Sequence, residues 1–199
     1  ACNNASVDIV HTINVDDTTA PTLTAAAANS TAECDGTADP GDAFATWLAN
    51  NGGATATDAC GSVTWSHDST GLSDACGATG FEEVTFTATD ACGNVTTTTA
   101  TFTIEDTTAP VIDCPDNISV FNDAGNCSTV VTFAAATATD SCGNVTVTQT
   151  EGLASGSAFP VGVSTIEYTA EDECGLTTTC EFTITVIDNE NPTITCAAD

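Results

Sequence analysis

Alternating apolar and polar residues run through most of the chain and predict β-strands. The alternation is clearest in the runs EVTFTATD, TATFTIED, STIEYTAED and CEFTITVID, which are rich in Thr, Val and Ile. Residues two apart in a strand lie on the same face of the sheet. Phe182, Ile184 and Val186 therefore share one face, as do Phe102 and Ile104. The pattern predicts an all-β fold built from half-buried strands.

One segment, DPGDAFATWLANNGG, departs from this alternation. Its apolar residues follow the i, i+3, i+4 spacing of a helix face: Phe44, Trp47 and Leu48. Asp42 precedes them as a candidate N-cap, and the pair Gly52 and Gly53 follows as a stop signal. The segment predicts one short helix over about residues 42–50.

The chain also repeats itself at a fixed interval. The recurring motif is Asp-x-Cys-Gly, which begins at Asp58 and Asp90 and again, at equal separations, at Asp140 and Asp172. We call the separation from Asp58 to Asp140 the repeat period. A second marker, written VDDTTAP, IEDTTAP and VIDNENP, ends at Pro21, Pro110 and Pro192. A fixed period of this kind is the signature of tandem structural repeats.

The markers divide the chain into four parts. Residues 1–16 are expected to be the last strand of a preceding repeat, and residues 17–106 form a first domain that carries the helical insert. Residues 107–188 form a second domain, and residues 189–199 begin a following repeat. The sequence is thus expected to be a window on a longer array.

The second repeat carries a family resemblance. From Cys114 to Cys196 the chain reads CPDNISV, GNCSTVVTF, ATDSCGNVTV, FPVGVSTIEYTAEDECG and CEFTITVIDNENPTITC, which resembles the hyalin repeat (HYR) domain. The first repeat resembles a diverged bacterial relative that lacks the FPVG segment. The resemblance implies tandem immunoglobulin-like β-sandwich domains, with extracellular adhesion on a bacterial cell surface and no catalysis.

Charge restricts the partners of the chain. It has 28 acidic residues, no Lys or Arg, and a formal net charge of -28. Nucleic acids and anionic membranes are bound through Lys and Arg, so neither is expected as a partner. Lysine chemistry and salt bridges to Lys or Arg are also excluded. Clustered carboxylates must then be satisfied by backbone N–H groups, water or a hard cation such as Ca²⁺.

The sandwich topology implied by the resemblance predicts where those carboxylates meet. The two Asp-x-Cys-Gly corners become the B–C and F–G loops at the pole where the linker enters. Two interdomain Ca²⁺ sites are therefore predicted, from Asp16, Asp17, Asp58 and Asp90 in the first repeat and from Glu105, Asp106, Asp140 and Asp172 in the second. The alternative is that each aspartate only caps its own turn.

Eleven cysteines without zinc-ligand spacing favour disulfides and a secreted protein. Meeting of the corners predicts the bonds Cys60–Cys92 and Cys142–Cys174. The HYR resemblance implies Cys114–Cys180, and Cys34–Cys76 remains as the natural leftover. Cys2 and Cys196 belong to truncated copies. Cys127 is left unmatched: it either stays free or bonds a neighbouring chain, and a Cys127–Cys142 bond is the rival.

No catalytic motif surrounds the two histidines, His11 and His67, and no run of 18 apolar residues could span a membrane. Six sequons could carry N-glycans: Asn4, Asn29, Asn94, Asn117, Asn126 and Asn144. We expect a structural module of a surface stalk or filament, whose partners are neighbouring repeats or identical chains. The alternative is an adhesin that binds a glycan or protein through loops at one pole, which should expose clustered aromatic residues.

Overall fold

A computed structural model of the chain describes residues 10–192. The strands are β1 (Thr22–Ala25), β2 (Ser30–Glu33), β3 (Thr55–Thr57), β4 (Thr64–His67), β5 (Gly80–Thr89), β6 (Val95–Glu105), β7 (Val111–Asp113), β8 (Ile118–Phe121), β9 (Ser128–Val130), β10 (Thr137–Thr139), β11 (Val145–Glu151), β12 (Ala158–Pro160), β13 (Gly162–Asp172) and β14 (Thr177–Ile187). One helix, α1, spans Ala43–Ala49. The predicted all-β fold with one short helix is confirmed.

The chain folds into two compact units that are interleaved in sequence. Among the described residues, the first unit comprises residues 10–30, 44–71 and 82–102, and the second comprises residues 31–43, 72–81 and 103–192. Two segments of the first sequence repeat, residues 31–43 and 72–81, thus belong to the second unit. The units therefore differ from the linear division at residues 106 and 107.

The first unit is built around the insert helix. Strands β1 and β3 pair antiparallel, and Thr64 to His67 of β4 pair antiparallel with β5, which lies beside β6. Trp47 of α1 contacts the rings of Phe86 and Phe102, and its indole N–H donates to the carbonyl of Ala28. The helix therefore fills the core of this unit.

Glycines end the insert helix as the sequence predicts. The chain turns after Ala49 into a 3-10 segment, Asn51–Gly53, in which Gly52 and Gly53 have positive φ angles. A Cβ at Gly52 would lie 2.9 Å from a ring carbon of Phe86. Only glycine fits this tight return to the core.

The second unit has a four-stranded sheet of order β11-β13-β14-β8. Strands β13 and β14 pair antiparallel over most of their length, whereas β14 and β8 pair in parallel. Two small antiparallel ladders, β7 with β10 and β9 with β12, complete the unit.

Alternate residues of these strands form the core of the second unit. Phe182, Ile184 and Val186 of β14 are buried, as predicted, and pack with Ile166 and Tyr168 of β13. Phe159 of β12 and Val131 belong to the same buried cluster. The unit is a two-layered β-sandwich in which each layer contributes one apolar face.

The ends of the chain are described only in part. Residues 1–9 and 193–199 lie outside the described residues, and with them Cys2, Asn4 and Cys196. Residues 10–16, expected to be strand, have no regular secondary structure, and Ile13 and Val15 are almost fully exposed.

Candidate functional site

Each Asp-x-Cys-Gly motif forms the same local turn. The Oδ1 atoms of Asp58, Asp90, Asp140 and Asp172 accept a hydrogen bond from the backbone N–H two residues later, at 2.7–2.8 Å. Asp and Asn favour such turns because the short side chain reaches its own backbone. The turn-capping alternative therefore accounts for one oxygen of each aspartate.

Two disulfides join the corners of the second repeat to segments of the first repeat. Cys34 bonds Cys142 and Cys76 bonds Cys174, with Cα–Cα distances of 5.5 and 5.1 Å. All four cysteines lie in the second unit. The bonded cysteines are separated in sequence by 108 and 98 residues, so the bonds link the two sequence repeats covalently.

These bonds correct three predicted pairs. Cys34–Cys76 and Cys142–Cys174 are wrong, because residues 31–43 and 72–81 pack with the second unit and bring their cysteines to its corners. Cys60–Cys92 is also wrong, because both are free thiols. Cys142 bonds Cys34, which also excludes Cys127–Cys142. The Cys114–Cys180 bond implied by the HYR resemblance is present.

Two glycines allow the first-repeat segments to approach the corner at Cys142. A Cβ at Gly36 would lie 2.7 Å from the carbonyl oxygen of Ser141, and one at Gly77 would clash with the carbonyl oxygen of Cys142. The same carbonyl accepts a hydrogen bond from the N–H of Ala78 at 2.8 Å. The glycines near Cys34 and Cys76 thus permit a backbone contact that a side chain would block.

Beside the disulfides lies a set of carboxylates, which we call the junction cluster: Glu33, Asp106, Asp140 and Asp172. Burial and the charges of the other three members raise the pKa of Asp106. Asp140 and Asp172, two of the other residues predicted for this Ca²⁺ site, thus lie near enough to Asp106 for their charges to affect its pKa. The fourth, Glu105, is exposed and uses its carbonyl oxygen to accept the N–H of Cys34 at 2.9 Å.

Glu33 was not predicted, because it follows an ordinary strand pattern and no motif marks it. Its carboxylate accepts hydrogen bonds from the N–H and hydroxyl of Thr107 and from the hydroxyl of Thr108. These bonds lower the pKa of Glu33, since they stabilise the charged form. The linker sequence DTT therefore fixes Glu33 beside Asp106.

Asp172 holds a buried oxygen with no partner. The residue is 8% exposed, and its Oδ1 accepts the N–H groups of Cys174 and Leu176. Its Oδ2 is buried without a hydrogen bond. In the first repeat, Asn94 stands where the second has Leu176, and its side-chain amide donates to Oδ2 of Asp90 at 2.8 Å. The replacement of Asn by Leu leaves Asp172 one donor short.

The first repeat brings together only part of its predicted Ca²⁺ site. Ligand atoms of Asp17, Asp58 and Cys60 lie within 4.8 Å of one another. Both oxygens of Asp90 already accept hydrogen bonds, and the Asn94 amide is the largest cause of its lowered pKa. Asp16 is exposed.

Within the described residues, three cysteines are free and exposed: Cys60, Cys92 and Cys127. The charge of Asp17 is the largest cause that raises the pKa of the Cys60 thiol, with smaller effects from Asp58 and Cys92. A third grouping, Cys34 and Cys142 with Asp106, contains no thiolate, because its two sulfurs form a disulfide.

The sequons differ in the partners of their side-chain amides. Asn29, Asn117, Asn126 and Asn144 are exposed, and of these Asn126 donates to the carbonyl of Ala124 and Asn144 to the carboxylate of Glu173. The Asn94 amide donates to Asp90 and to the carbonyl of Asp17. His11 is exposed, and Nδ1 of His67 accepts the N–H of Ser69 at 3.3 Å. Of the helices in the described part of the chain, none has the length and apolarity needed to cross a membrane.

The comparison with solved structures includes cadherin fragments at low identity and with TM-scores below 0.5. Drosophila N-cadherin EC1-4 has a TM-score of 0.37 at 12% identity, covering 84% of this chain and 49% of that one. Human protocadherin-24 EC1-2 has a TM-score of 0.33 at 18% identity, covering 86% of this chain and all of that one.

Among curated proteins, Hyalin from Strongylocentrotus purpuratus is 31% identical over 94 residues. The match covers 46% of this chain and only 8% of Hyalin. A family comparison agrees with the resemblance of the second repeat: residues 105–186, which contain two corners, the Cys114–Cys180 bond and most of the junction cluster, match the HYR domain family.

Proposed function

We propose that this chain is a structural repeat module of an extracellular stalk or filament, in which neighbouring repeats are joined covalently. The observation that carries the proposal is the pair of bonds Cys34–Cys142 and Cys76–Cys174, which link one sequence repeat to the next. A module that only displays a binding loop does not require such links. Disulfides of this kind persist in oxidising compartments, which supports secretion.

The apolar residues near the start of the described chain support a neighbouring repeat as partner. Ile13 and Val15 are 83% and 91% exposed, but the linker alignment matches them to Phe102 and Ile104, which are 1% and 2% exposed. A strand pattern with no core to fill fits the last strand of another repeat. This exposure supports a further copy of the same fold as the partner.

Aromatic residues favour the structural role over the adhesin. Among the described aromatic side chains, only Phe81 and Phe121 are strongly exposed, at 58% each. An aromatic ring contributes to a binding surface only where a partner can contact it. Most aromatic rings of the described residues are instead packed in the cores of the two units.

We further propose that the junction cluster binds Ca²⁺. Calcium prefers several carboxylate and carbonyl oxygens, and the cluster offers Asp106, Asp140 and Asp172, with Glu33 beside them. The unpartnered Oδ2 of Asp172 supports the proposal most directly, since a buried carboxylate oxygen without a donor is costly unless a cation reaches it. A bound ion would offset the mutual repulsion of these charges.

Thermal unfolding in millimolar Ca²⁺ and in EGTA tests the site. Ca²⁺ should raise the melting temperature of the native chain, because a ligand that binds only the folded state stabilises it. Asp172→Asn keeps the Oδ1 acceptor for its turn but removes the free carboxylate oxygen, so the Ca²⁺ shift should be lost.

Two further variants sharpen this test. Leu176→Asn introduces the side-chain amide that the first repeat uses at Asp90, so it should stabilise the protein in EGTA and reduce the Ca²⁺ shift. Asp116→Asn changes an exposed carboxylate outside the junction cluster and should leave the shift intact. An equal Ca²⁺ shift in Asp172→Asn would disprove the junction site.

A further inference from the structure

The free Cys127 of the second repeat makes the same backbone contact as the bonded Cys76 of the first, although it comes from a different point in the sequence of its repeat. The carbonyl of Cys76 accepts the N–H of Thr79 at 3.1 Å, and the carbonyl of Cys127 accepts the N–H of Val161 at 2.9 Å. Thr79 and Val161 are one repeat period apart. Each directly precedes the glycine that begins the long strand, β5 or β13.

The free Cys92 is likewise the counterpart of the bonded Cys174. Both follow an aspartate whose Oδ1 accepts the cysteine N–H at 2.8 Å, and they are again separated by one repeat period. Cys76 bonds Cys174 within this chain. Cys127 and Cys92 therefore correspond to Cys76 and Cys174, but each of them is an exposed free thiol.

We propose that Cys127 of one copy of this chain forms a disulfide with Cys92 of a second copy. The linker near Cys127 forms the same turn as the linker near the Cys76–Cys174 bond. Oδ1 of Asp188 accepts the N–H of Glu190 at 3.0 Å, as Oδ1 of Asp106 accepts that of Thr108 at 3.0 Å. The Cys92 corner of the second copy would thus meet the residues around Cys127 in the way that the Cys174 corner meets the residues around Cys76 within one chain.

Only one bond joins the copies, whereas two join the repeats within a chain. The N–H of Cys34 donates to the carbonyl of Glu105, and at the matching place the N–H of Asn122 donates to that of Ile187. Asn122 therefore stands where the second bridging cysteine would be. Cys60, the counterpart of Cys142, is therefore left without a cysteine to bond in the second copy.

The bond forms by thiol–disulfide exchange. The Cys127 thiolate attacks a small disulfide oxidant and releases one thiol of that oxidant. The Cys92 thiolate then attacks the mixed disulfide and releases the second thiol, so two protein thiols are oxidised as one oxidant disulfide is reduced. The chemistry requires the oxidising compartment of the proposed function, but no bound calcium.

A complementation experiment tests the pairing between copies. Cys92→Ser and Cys127→Ser, each made in a chain that also carries Cys2→Ser and Cys196→Ser, are incubated in EGTA with an oxidised and reduced glutathione pair, alone and mixed, and run on non-reducing gels. Each variant alone should stay monomeric, and the mixture should give one covalent dimer. Monomers in the mixture, or dimers of either variant alone, would overturn the proposal.

Peptide mapping and two variants complete the design. The native chain should form a ladder of oligomers with a Cys92–Cys127 linked peptide, and Cys60→Ser should keep that ladder. Asn122→Cys should add a second link, from position 122 to Cys60. A Cys60–Cys92 peptide from monomer would instead show that these thiols bond each other. Failure here leaves the Ca²⁺ melts unaffected, so it is distinguishable from failure of the proposed calcium site.

Discussion

At the scale of single residues, Asp106 carries a charge that the fold makes costly. Burial and the charges of Asp140, Asp172 and Glu33 raise its pKa above 3.8. The native state then holds a proton at pH values where the unfolded chain has lost it. The free energy of unfolding therefore falls as the pH rises through that interval, because the native state binds more protons there.

The effect of Asp106→Asn on the free energy of unfolding should have opposite signs without and with calcium. In EGTA near neutral pH it removes the repulsion, so the variant should be more stable than the native chain, and less so as the pH falls toward the pKa of an ordinary aspartate. In Ca²⁺ it removes a ligand and should be less stable. Chemical denaturation across this pH range, with and without Ca²⁺, measures both signs. A variant that is less stable under every condition would contradict a repulsive cluster.

Gly77 tests the close contact beside the Cys76–Cys174 bond. Gly77→Ala should destabilise the chain through two effects, a positive φ of 56° and a clash with the carbonyl of Cys142. Gly41→Ala is the matched control, since Gly41 has a φ of 58° and open space around it. We expect about 1 kcal/mol for the control and about 2 kcal/mol more for Gly77→Ala, from overpacking. Equal losses would argue against the contact.

At the scale of elements, the helix α1 fills the core of the first unit. Phe44 and Trp47 both contact Phe102, and Trp47 meets Phe86 edge-on. The sequence predicted this helix because its apolar spacing and glycine stop are local signals. The long strands were predictable for the same reason, since alternation places Phe182 and Ile184 on one face.

Phe44→Ala should destabilise the first unit by about 3 kcal/mol, since it leaves a cavity where an aromatic ring was buried. Phe121→Ala removes the same side chain from a site that is 58% exposed and should cost less than about 0.5 kcal/mol. Denaturant unfolding of both variants measures the difference. Similar losses in the two variants would show that α1 is not part of the core.

At the scale of the whole molecule, the repeat period predicted which residues recur but not how the cysteines pair. Cys34 and Cys76 have no cysteine at the same register in the second repeat, so periodicity could not assign them. Their partners depend on residues 31–43 and 72–81 packing with the second unit, which is a non-local property. Glu33 was missed for the same reason.

Two disulfides join the two sequence repeats to each other. The direct measurement is disulfide mapping of the native chain by mass spectrometry, under acidic non-reducing conditions that prevent exchange. Because the chain has no Lys or Arg, a protease specific for Asp and Glu must replace trypsin. Linked peptides Cys34–Cys142 and Cys76–Cys174 are the predicted result. Peptides Cys34–Cys76 and Cys142–Cys174 would contradict it, since each repeat would then be stapled only to itself.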